Sequence, residues 1–301
     1  MTRPISLSLH LGAHKTASTH LQLALKSHED LVIRSGARFY GPQYLRERDR
    51  SIPQMFGIGT KATTGRSPRL QLEFLAKDSD RVILSEENFL GKLFDERGVV
   101  GMPLYSAAGD RIAALSERLP HTRNRIFLAL RRPDSFLNSI YSQVLFGGLT
   151  LRPESFRARN DIGVVDWPGL VRRIAEVDGV SEVCLWCHED YPEVLPKIID
   201  RLVGPGIGAH FKADEAIVHQ GLSADAVQHV LKLAGEGKKG QLAQQARRKF
   251  PVTESSPKLL VYDEADTASA EILYYRQLQE LWAMEKVHFV QGPFLGPILA
   301  T

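Results

Sequence analysis

The chain alternates between short apolar runs and longer stretches with helical spacing. Residues 5–11 (ISLSLHL) place an apolar side chain at every second position, which is typical of a strand. Three more short apolar runs also predict strands, at 81–87 (RVILSEE), 125–133 (RIFLALRRP) and 181–189 (SEVCLWCHE). Because amphipathic helical patterns separate these runs, the sequence predicts βαβ units, a central parallel sheet flanked by helices and an α/β fold class.

The second half of the chain changes character. From Leu222 onward the spacing of apolar residues is helical, and Ser223 is a predicted N-cap. The sequence contains no internal repeat and no clear linker. We therefore expect a single domain over residues 1–301, with an α/β core over 1–215 and a mainly helical C-terminal portion over 216–301.

Two stretches are rich in Gly, Pro and Arg and lack a periodic apolar pattern. They are residues 41–70 and 147–166. Such composition predicts a long connection or a partly mobile lid.

The loop after the first predicted strand reads GAHKTAST. Gly12 allows the backbone to turn, Lys15 adds a positive charge, and Thr16, Ser18 and Thr19 add hydroxyl donors. A helix starting near Ser18 directs its free N–H groups at this loop. The loop therefore predicts a site for a terminal phosphate or sulfate, although it lacks the GK[ST] of a nucleoside triphosphate site. The alternative is a tight turn with a solvated lysine.

A second cluster follows another predicted strand, in LALRRPDSFLNSIYSQ (residues 128–143). Arg131 and Arg132 end the strand, Pro133 breaks it, and Ser139 lies in the helix that follows. Arginines at a strand end can hold a phosphate in a bidentate manner. The alternative is a solvated Arg132 and an outward-facing Ser139.

Together the two clusters resemble the sulfotransferases that use 3′-phosphoadenosine-5′-phosphosulfate (PAPS), in particular the bacterial members that modify carbohydrates or lipids. KTAST, from Lys15 to Thr19, is similar to the loop that holds the 5′-phosphosulfate, and HLGAHKTAST follows the form His-x-Gly-x-x-Lys-Thr-Gly-Thr-Thr. Arg131 and Ser139, eight residues apart, match the pair that holds the 3′-phosphate. Residues 217–231 (IVHQGLSADAVQHVL) also resemble a segment of bacterial members.

The resemblance implies a P-loop-like sulfotransferase fold and an enzyme that transfers a sulfuryl group from PAPS to a hydroxyl or amine. The acceptor would be a glycan, a lipid or a small metabolite, the product of the donor would be PAP, and no metal would be required. We expect the acceptor pocket to be built from the stretches 41–70, 147–166 and 240–265. Ala17 stands where the family has glycine, so position 17 should either avoid a positive φ or be mildly strained. The resemblance places the cofactor against Gly12, His14, Lys15, Thr16, Ala17, Ser18, Thr19, Arg131 and Ser139.

Transfer also needs a base that takes the proton of the acceptor. Glu86 and Glu87 are adjacent at a strand end, so an extended backbone would direct only one of them into the cleft. The resemblance favours Glu87 as the base, with Glu86 second and His14 or His20 as further candidates. It assigns Lys15 to the bridging oxygen, where charge develops on the leaving phosphate.

Composition narrows the remaining choices. The net charge is +3 and the pI is about 8.8, which gives no indication of a nucleic-acid partner.

Cys184 and Cys187 spell C-x-x-C inside a predicted strand, so we expect buried thiols rather than a redox pair. No spacing suggests a metal site. The basic run 235–250 either reaches the 3′-phosphate or an acidic acceptor, or forms a solvated helix face.

The N-terminal region lacks the uninterrupted apolar core of a signal peptide, and no segment approaches the roughly 20 apolar residues of a membrane span. We therefore expect a soluble, cytoplasmic protein. Two alternatives to the sulfotransferase remain open. One is a P-loop kinase or nucleotidase, and the other is a non-catalytic module that binds a nucleotide or a sulfated ligand.

Overall fold

The computed structural model describes residues 5–213 and 221–299. Within these residues, six parallel strands form one sheet in the order β2-β3-β1-β4-β5-β6. The strands are β1 Ser6–Gly12, β2 Ala37–Tyr40, β3 Arg81–Ser85, β4 Asn124–Leu130, β5 Val180–Cys187 and β6 Val287–Phe289. The predicted α/β fold class with a central parallel sheet is therefore confirmed.

Helices flank this sheet. In the described part of the chain they are α1 Ser18–Ser27, α2 Glu29–Arg34, α3 Pro42–Leu45, α4 Ile52–Phe56, α5 Pro68–Ala76, α6 Ala108–Arg118, α7 Pro133–Phe146, α8 Pro153–Arg159, α9 Trp167–Ala175, α10 Tyr191–Leu202, α11 Ala224–Gly235, α12 Leu242–Lys249, α13 Glu264–Trp282 and α14 Leu295–Leu299. Ser223 caps α11 as predicted, since its hydroxyl accepts a hydrogen bond from the Ala226 N–H.

The alternation of side chains along the strands divides the core between the two faces of the sheet. On β4, Ile126 and Leu128 belong to one buried cluster, whereas Phe127 and Ala129 belong to the other. The first cluster includes side chains of α6, α7, α9 and α13, and the second includes side chains of α1 and α10. Both faces of the sheet are therefore covered, as parallel sheets require.

The order of the strands reverses between β1 and β4. The chain builds β2 and β3 on one side of β1 and then places β4 on the other side. In open parallel sheets this reversal opens a crevice at the carboxyl ends of the two strands, where ligands bind. The loop after β1 and the strand end at Arg131 both lie at this position.

The two Gly- and Pro-rich stretches are more regular than the sequence suggests. Residues 41–70 contain α3, α4 and the start of α5, and Met55 and Phe56 of α4 are fully buried. Residues 147–166 contain α8 and a short 3₁₀ helix, Ile162–Val164. Both stretches connect larger elements of the fold, and short helices begun by Pro pack parts of them against the core.

The C-terminal portion is mainly helical, as predicted, but it also supplies β6 to the edge of the sheet. The predicted boundary at residues 215 and 216 and the first part of the family-like segment, 217–220, lie outside the described residues. No helix in the described ranges combines the length and apolar character that crossing a bilayer requires.

Candidate functional site

The loop between β1 and α1 has a left-handed backbone at Gly12, Lys15 and Ala17, where φ is 100°, 64° and 66°. A left-handed conformation costs a residue other than glycine about 1–2 kcal/mol. Of the two alternatives for position 17, the strained one is therefore correct. Ala17 also occupies the N-cap position of α1, where its side chain cannot cap the helix. Ala17 thus supplies no side-chain acceptor to the first N–H groups of α1.

The hydroxyls of the loop divide into two kinds. Thr16 is buried, and its Oγ1 donates a hydrogen bond to the Ala13 carbonyl at 2.7 Å, so this hydroxyl stabilises the turn itself. Ser18 and Thr19 make no side-chain hydrogen bond within the part of the chain that the structure describes. Their positions at the start of α1 leave both hydroxyls available to a ligand at the helix N-terminus.

Arg131 connects the end of β4 to this loop. One Nη of Arg131 donates to the Lys15 carbonyl at 2.6 Å, and its Nε donates to Ser135 Oγ at 2.9 Å. The Trp167 indole N–H donates to the Arg131 carbonyl at 2.9 Å and fixes the backbone. Arg132 differs, because its guanidinium forms two hydrogen bonds with Asp134. Of the two arginines predicted at the strand end, only Arg131 contacts the loop.

One face of α7 lines the same region. Ser135, Ser139 and Gln143 follow each other at four-residue intervals, which places them on one side of the helix. Ser135 contacts Arg131, and the Gln143 amide oxygen accepts a hydrogen bond from Lys15 Nζ at 3.1 Å. Ser139 therefore lies between the two contacts. Ser139 is half-buried on this face of α7, and its role in the site stays a prediction.

Four cations converge here, namely Lys15, Arg131, Arg247 and Lys258, and the charges of Asp134, Glu189 and Glu87 offset them only in part. Burial lowers the pKa of Lys15, and the charges of Arg131 and Arg247 lower it further. Burial likewise lowers the pKa of Lys258, and the charges of Arg131 and Lys15 lower it further. Burial also lowers the pKa of Arg131. A cluster of cations that destabilise each other in this way favours a ligand with several negative charges.

His188, the first residue after β5, borders this cation cluster and was not among the residues that the sequence predicts for the site. Burial lowers the pKa of His188 to about 3, and the charge of Arg131 acts in the same direction. Its Nδ1 is buried without a hydrogen-bond partner among the described residues. A neutral imidazole can donate a hydrogen bond to an anion, which would satisfy this orphaned nitrogen.

The sequence contained a signal for only some of these additional residues. His188 lies near the end of the run predicted as a strand, 181–189, where the rule that ligands bind at strand ends applies. Arg247 lies in the basic run 235–250, and its approach to Lys15 supports a role for that run in the site rather than a purely solvated face. Lys258 carries no local signal, because only the tertiary fold brings its side chain over Gly221 toward the loop.

The carboxylates of Glu86 and Glu87 lie on the opposite side of the loop from the cation cluster. The extended backbone on which the prediction for this pair depended does not continue through Glu87, because β3 ends at Ser85 and Glu87 starts a 3₁₀ helix. Arg46 therefore contacts both carboxylates, with a bidentate pair of 2.8 Å hydrogen bonds to Glu86 and one of 3.1 Å to Glu87. Glu86 also caps the 3₁₀ helix by accepting from the Asn88 N–H at 3.0 Å.

Glu87 is the carboxylate that faces the loop. A side chain at position 12 would approach the Glu87 Cβ to 3.1 Å, so the absence of one at Gly12 allows this proximity. Gln22 donates a hydrogen bond to Glu87 Oε2 at 3.2 Å. Burial opposes the ionisation of Glu87, but a hydrogen bond from its own backbone N–H and the charge of Arg46 hold its pKa below the usual range. Glu87 is thus ionised at neutral pH and able to accept a proton.

The histidines near the loop are engaged in packing contacts. The ring nitrogens of His14 contact the Tyr105 hydroxyl at 3.0 Å and the Asn88 amide oxygen at 3.2 Å. His20 Nδ1 contacts the Tyr191 hydroxyl at 2.8 Å. These contacts occupy both ring nitrogens of His14 and the Nδ1 of His20.

Cys184 and Cys187 are free, buried thiols within β5. Burial raises the pKa of both thiols, that of Cys184 to about 12. The prediction of two buried thiols in a strand is confirmed.

The chain was compared with protein-family models, with curated proteins and with solved structures. No protein-family model and no curated protein matches the chain. The chain is similar to a solved sulfotransferase from Alicyclobacillus acidocaldarius, with 14% sequence identity and a TM-score of 0.41. The match covers 73% of this chain and 87% of that chain.

Proposed function

We propose that this protein is a sulfotransferase that uses PAPS and transfers its sulfuryl group to a hydroxyl or amine of an acceptor. The observation that supports this most is the separation of charge around the loop after β1. Lys15, Arg131 and Lys258 form a cationic side, and the ionised Glu87 lies on the other side. The motif resemblance to PAPS-dependent sulfotransferases agrees with this arrangement.

The residues present fit a ligand with two separate phosphate groups. The cations lower each other's pKa, and the orphaned Nδ1 of His188 needs a partner. Lys15, the start of α1 and the Ser18 and Thr19 hydroxyls would hold the 5′-phosphosulfate, and Arg131 with Ser139 would hold the 3′-phosphate. When bound, PAPS supplies the activated sulfuryl group.

The chain itself supplies the base and the charge stabilisation. Glu87 accepts the proton of the acceptor hydroxyl at its carboxylate, which Gln22 and Arg46 hold in place. Lys15 would supply positive charge to the oxygen that leaves with the phosphate, and its hydrogen bond to Gln143 orients the ammonium. Sulfuryl transfer resembles phosphoryl transfer in that positioning and charge stabilisation carry most of the catalysis.

A transfer assay tests this proposal. Purified protein is incubated with ³⁵S-labelled PAPS and a mixed set of hydroxyl and amine acceptors, and labelled products are separated. We expect transfer by the wild-type protein and by Lys61→Ala, an exposed lysine outside the site, and none by a folded Lys15→Ala. Transfer by Lys15→Ala would overturn the mechanism. PAP binding without transfer to any acceptor would favour the non-catalytic module.

A further inference from the structure

A cavity of about 320 Å³ opens beside Glu87, on the side of the site away from the cation cluster. Its walls come from α1, from the end of β2 and from α3, and the Glu87 carboxylate and Thr19 border it. The cavity therefore lies over β2 and β3, whereas Arg131 follows β4 on the other side of β1. Under the proposed function, on which this inference rests, a molecule in this cavity places its nucleophile between Glu87 and the loop.

The charged groups that line this cavity are balanced and paired. Lys26 forms an ion pair with Glu29. Arg46 is shared between the carboxylates of Glu86 and Glu87. A charged ligand would therefore meet no unpaired group of opposite charge in this lining, and its charge would lose hydration without gaining a replacement partner. The cavity thus differs from the cation cluster, because it selects against both anions and cations.

The remaining lining is largely apolar and aromatic. Leu23 presents 41% of its surface to solvent on α1. The rings of Tyr40 and Tyr44 pack with their centroids 4.7 Å apart, and Phe39 lies against Gly41, where any side chain would collide with its ring. The Tyr40 hydroxyl donates to the Leu75 carbonyl at 2.7 Å, which leaves the body of the ring as the exposed surface. Such surfaces pack against a flat apolar ring.

We propose that this cavity is the acceptor site and that it takes an uncharged alcohol whose ring system has an apolar face. The hydroxyl lies at Glu87 and the apolar ring packs against Leu23, Phe39 and Tyr44. In the transfer step the acceptor oxygen forms a bond to sulfur, the bond from sulfur to the phosphate oxygen breaks with its electron pair on that oxygen, and Glu87 receives the hydroxyl proton.

The walls of this cavity differ from those that the sequence predicts for the acceptor pocket. The sequence suggested that the stretches 41–70, 147–166 and 240–265 build the acceptor pocket. Only the first of these contributes to the lining of this cavity, through α3 and Arg46. The other contributions come from α1 and the end of β2.

The test uses three matched compounds and two measurements. Phenyl β-D-glucoside is neutral with an apolar ring, phenyl β-D-glucuronide adds a carboxylate to the same skeleton, and glucose lacks the ring. Binding to the full chain is measured by ligand-observed NMR without PAPS, and PAP binding is measured separately by calorimetry. We expect the glucoside to bind at least about tenfold more tightly than either other compound, since a buried carboxylate or a lost apolar contact each costs that much.

A charge variant sharpens the test without disturbing the core. Leu23→Arg places a cation in the cavity, and Leu70→Arg alters an exposed leucine of α5 outside it. We expect Leu23→Arg to weaken glucoside binding and to strengthen glucuronide binding, with both changes absent in Leu70→Arg and PAP affinity unchanged in both variants. No preference for the glucoside, or no effect of Leu23→Arg, would overturn the acceptor inference. If the preference holds while PAP does not bind, the inference about the cavity stands and the proposed function fails.

Discussion

Lys15 donates a hydrogen bond from its ammonium to the amide oxygen of Gln143, 3.1 Å away on α7. The two residues are far apart in sequence, and the contact ties the lysine side chain to the helix that also carries Ser139. The ammonium is therefore oriented before a ligand arrives. This relationship makes Gln143 a positioning residue for Lys15.

Replacing Gln143 should alter the orientation and the pKa of the Lys15 ammonium while the lysine itself stays in place. For Gln143→Leu we expect kcat to fall about tenfold, roughly the effect of one hydrogen bond to a charged group, with PAP affinity little changed. Because the pKa of Lys15 lies below its ordinary value, kcat/KM should fall as pH rises through that lowered pKa. Gln143→Glu should raise the pKa of Lys15 and move this alkaline limb to higher pH. An unmoved limb in Gln143→Glu would show that the limb belongs to another group.

The two adjacent glutamates should separate into different roles. Glu87→Gln removes the proton acceptor, so we expect kcat to fall by about 10²–10⁴, with PAP affinity unchanged. The acid limb of kcat/KM, which lies below the usual carboxyl range because the pKa of Glu87 is lowered, should disappear as well.

Glu86→Gln is the matched control. It weakens the bidentate contact with Arg46 and the cap of the 3₁₀ helix, so it should lower the melting temperature more than Glu87→Gln does. Wild-type turnover in Glu87→Gln would assign the base to another residue.

We expect the basic run 235–250 to contribute to the site through one of two adjacent arginines. Arg247 is half-buried and acts on Lys15, whereas Arg248 is exposed. We expect Arg247→Ala to weaken PAP binding by about tenfold at low salt, with a smaller difference at high salt because ions screen the interaction. Arg248→Ala should bind PAP as the wild type does. Calorimetry at two ionic strengths measures both, and equal effects of the two substitutions would indicate a diffuse field rather than a contact.

The strain at Ala17 should be removable. Ala17→Gly relieves a left-handed alanine at a cost of about 1–2 kcal/mol but adds backbone entropy to the unfolded chain, so we expect a net gain of about 0.5–1 kcal/mol in the free energy of unfolding. Ala24→Gly, in the middle of α1, should instead destabilise by about 1 kcal/mol. Urea denaturation measures both values. Destabilisation by Ala17→Gly would mean that the methyl group contributes more through packing than it costs in strain.

The sequence predicted those strands whose own residues carry a strong pattern. β1 alternates apolar and polar residues over its length, and β3, β4 and β5 are dense apolar runs. β2 and β6 were missed because four and three residues at the edges of a sheet are too short for a period to appear. Their strand conformation depends on pairing with β3 and β5.

In the site, too, residues at strand ends could be predicted from the sequence, whereas residues that tertiary packing brings in could not. Lys15, Arg131 and Glu87 each follow a strand, so the rule that ligands bind at strand ends is sufficient to predict that they lie near each other. Gln143 and Lys258 could not be predicted, since their approach to Lys15 depends on how α7 and the C-terminal portion pack. The left-handed φ of Lys15 could not be predicted either, because a lysine does not indicate that conformation.

A calorimetric titration with PAP and with ATP–Mg²⁺ tests the central claim most directly, because it asks which anion the cation cluster accepts and whether a metal is needed. The wild-type protein should bind PAP tightly in the presence of EDTA, and Lys15→Ala and Arg131→Ala should each weaken that binding by about tenfold or more. ATP–Mg²⁺ should bind more weakly than PAP. Preference for ATP–Mg²⁺, or PAP binding that requires Mg²⁺, would contradict the sulfotransferase assignment and favour a P-loop kinase or nucleotidase.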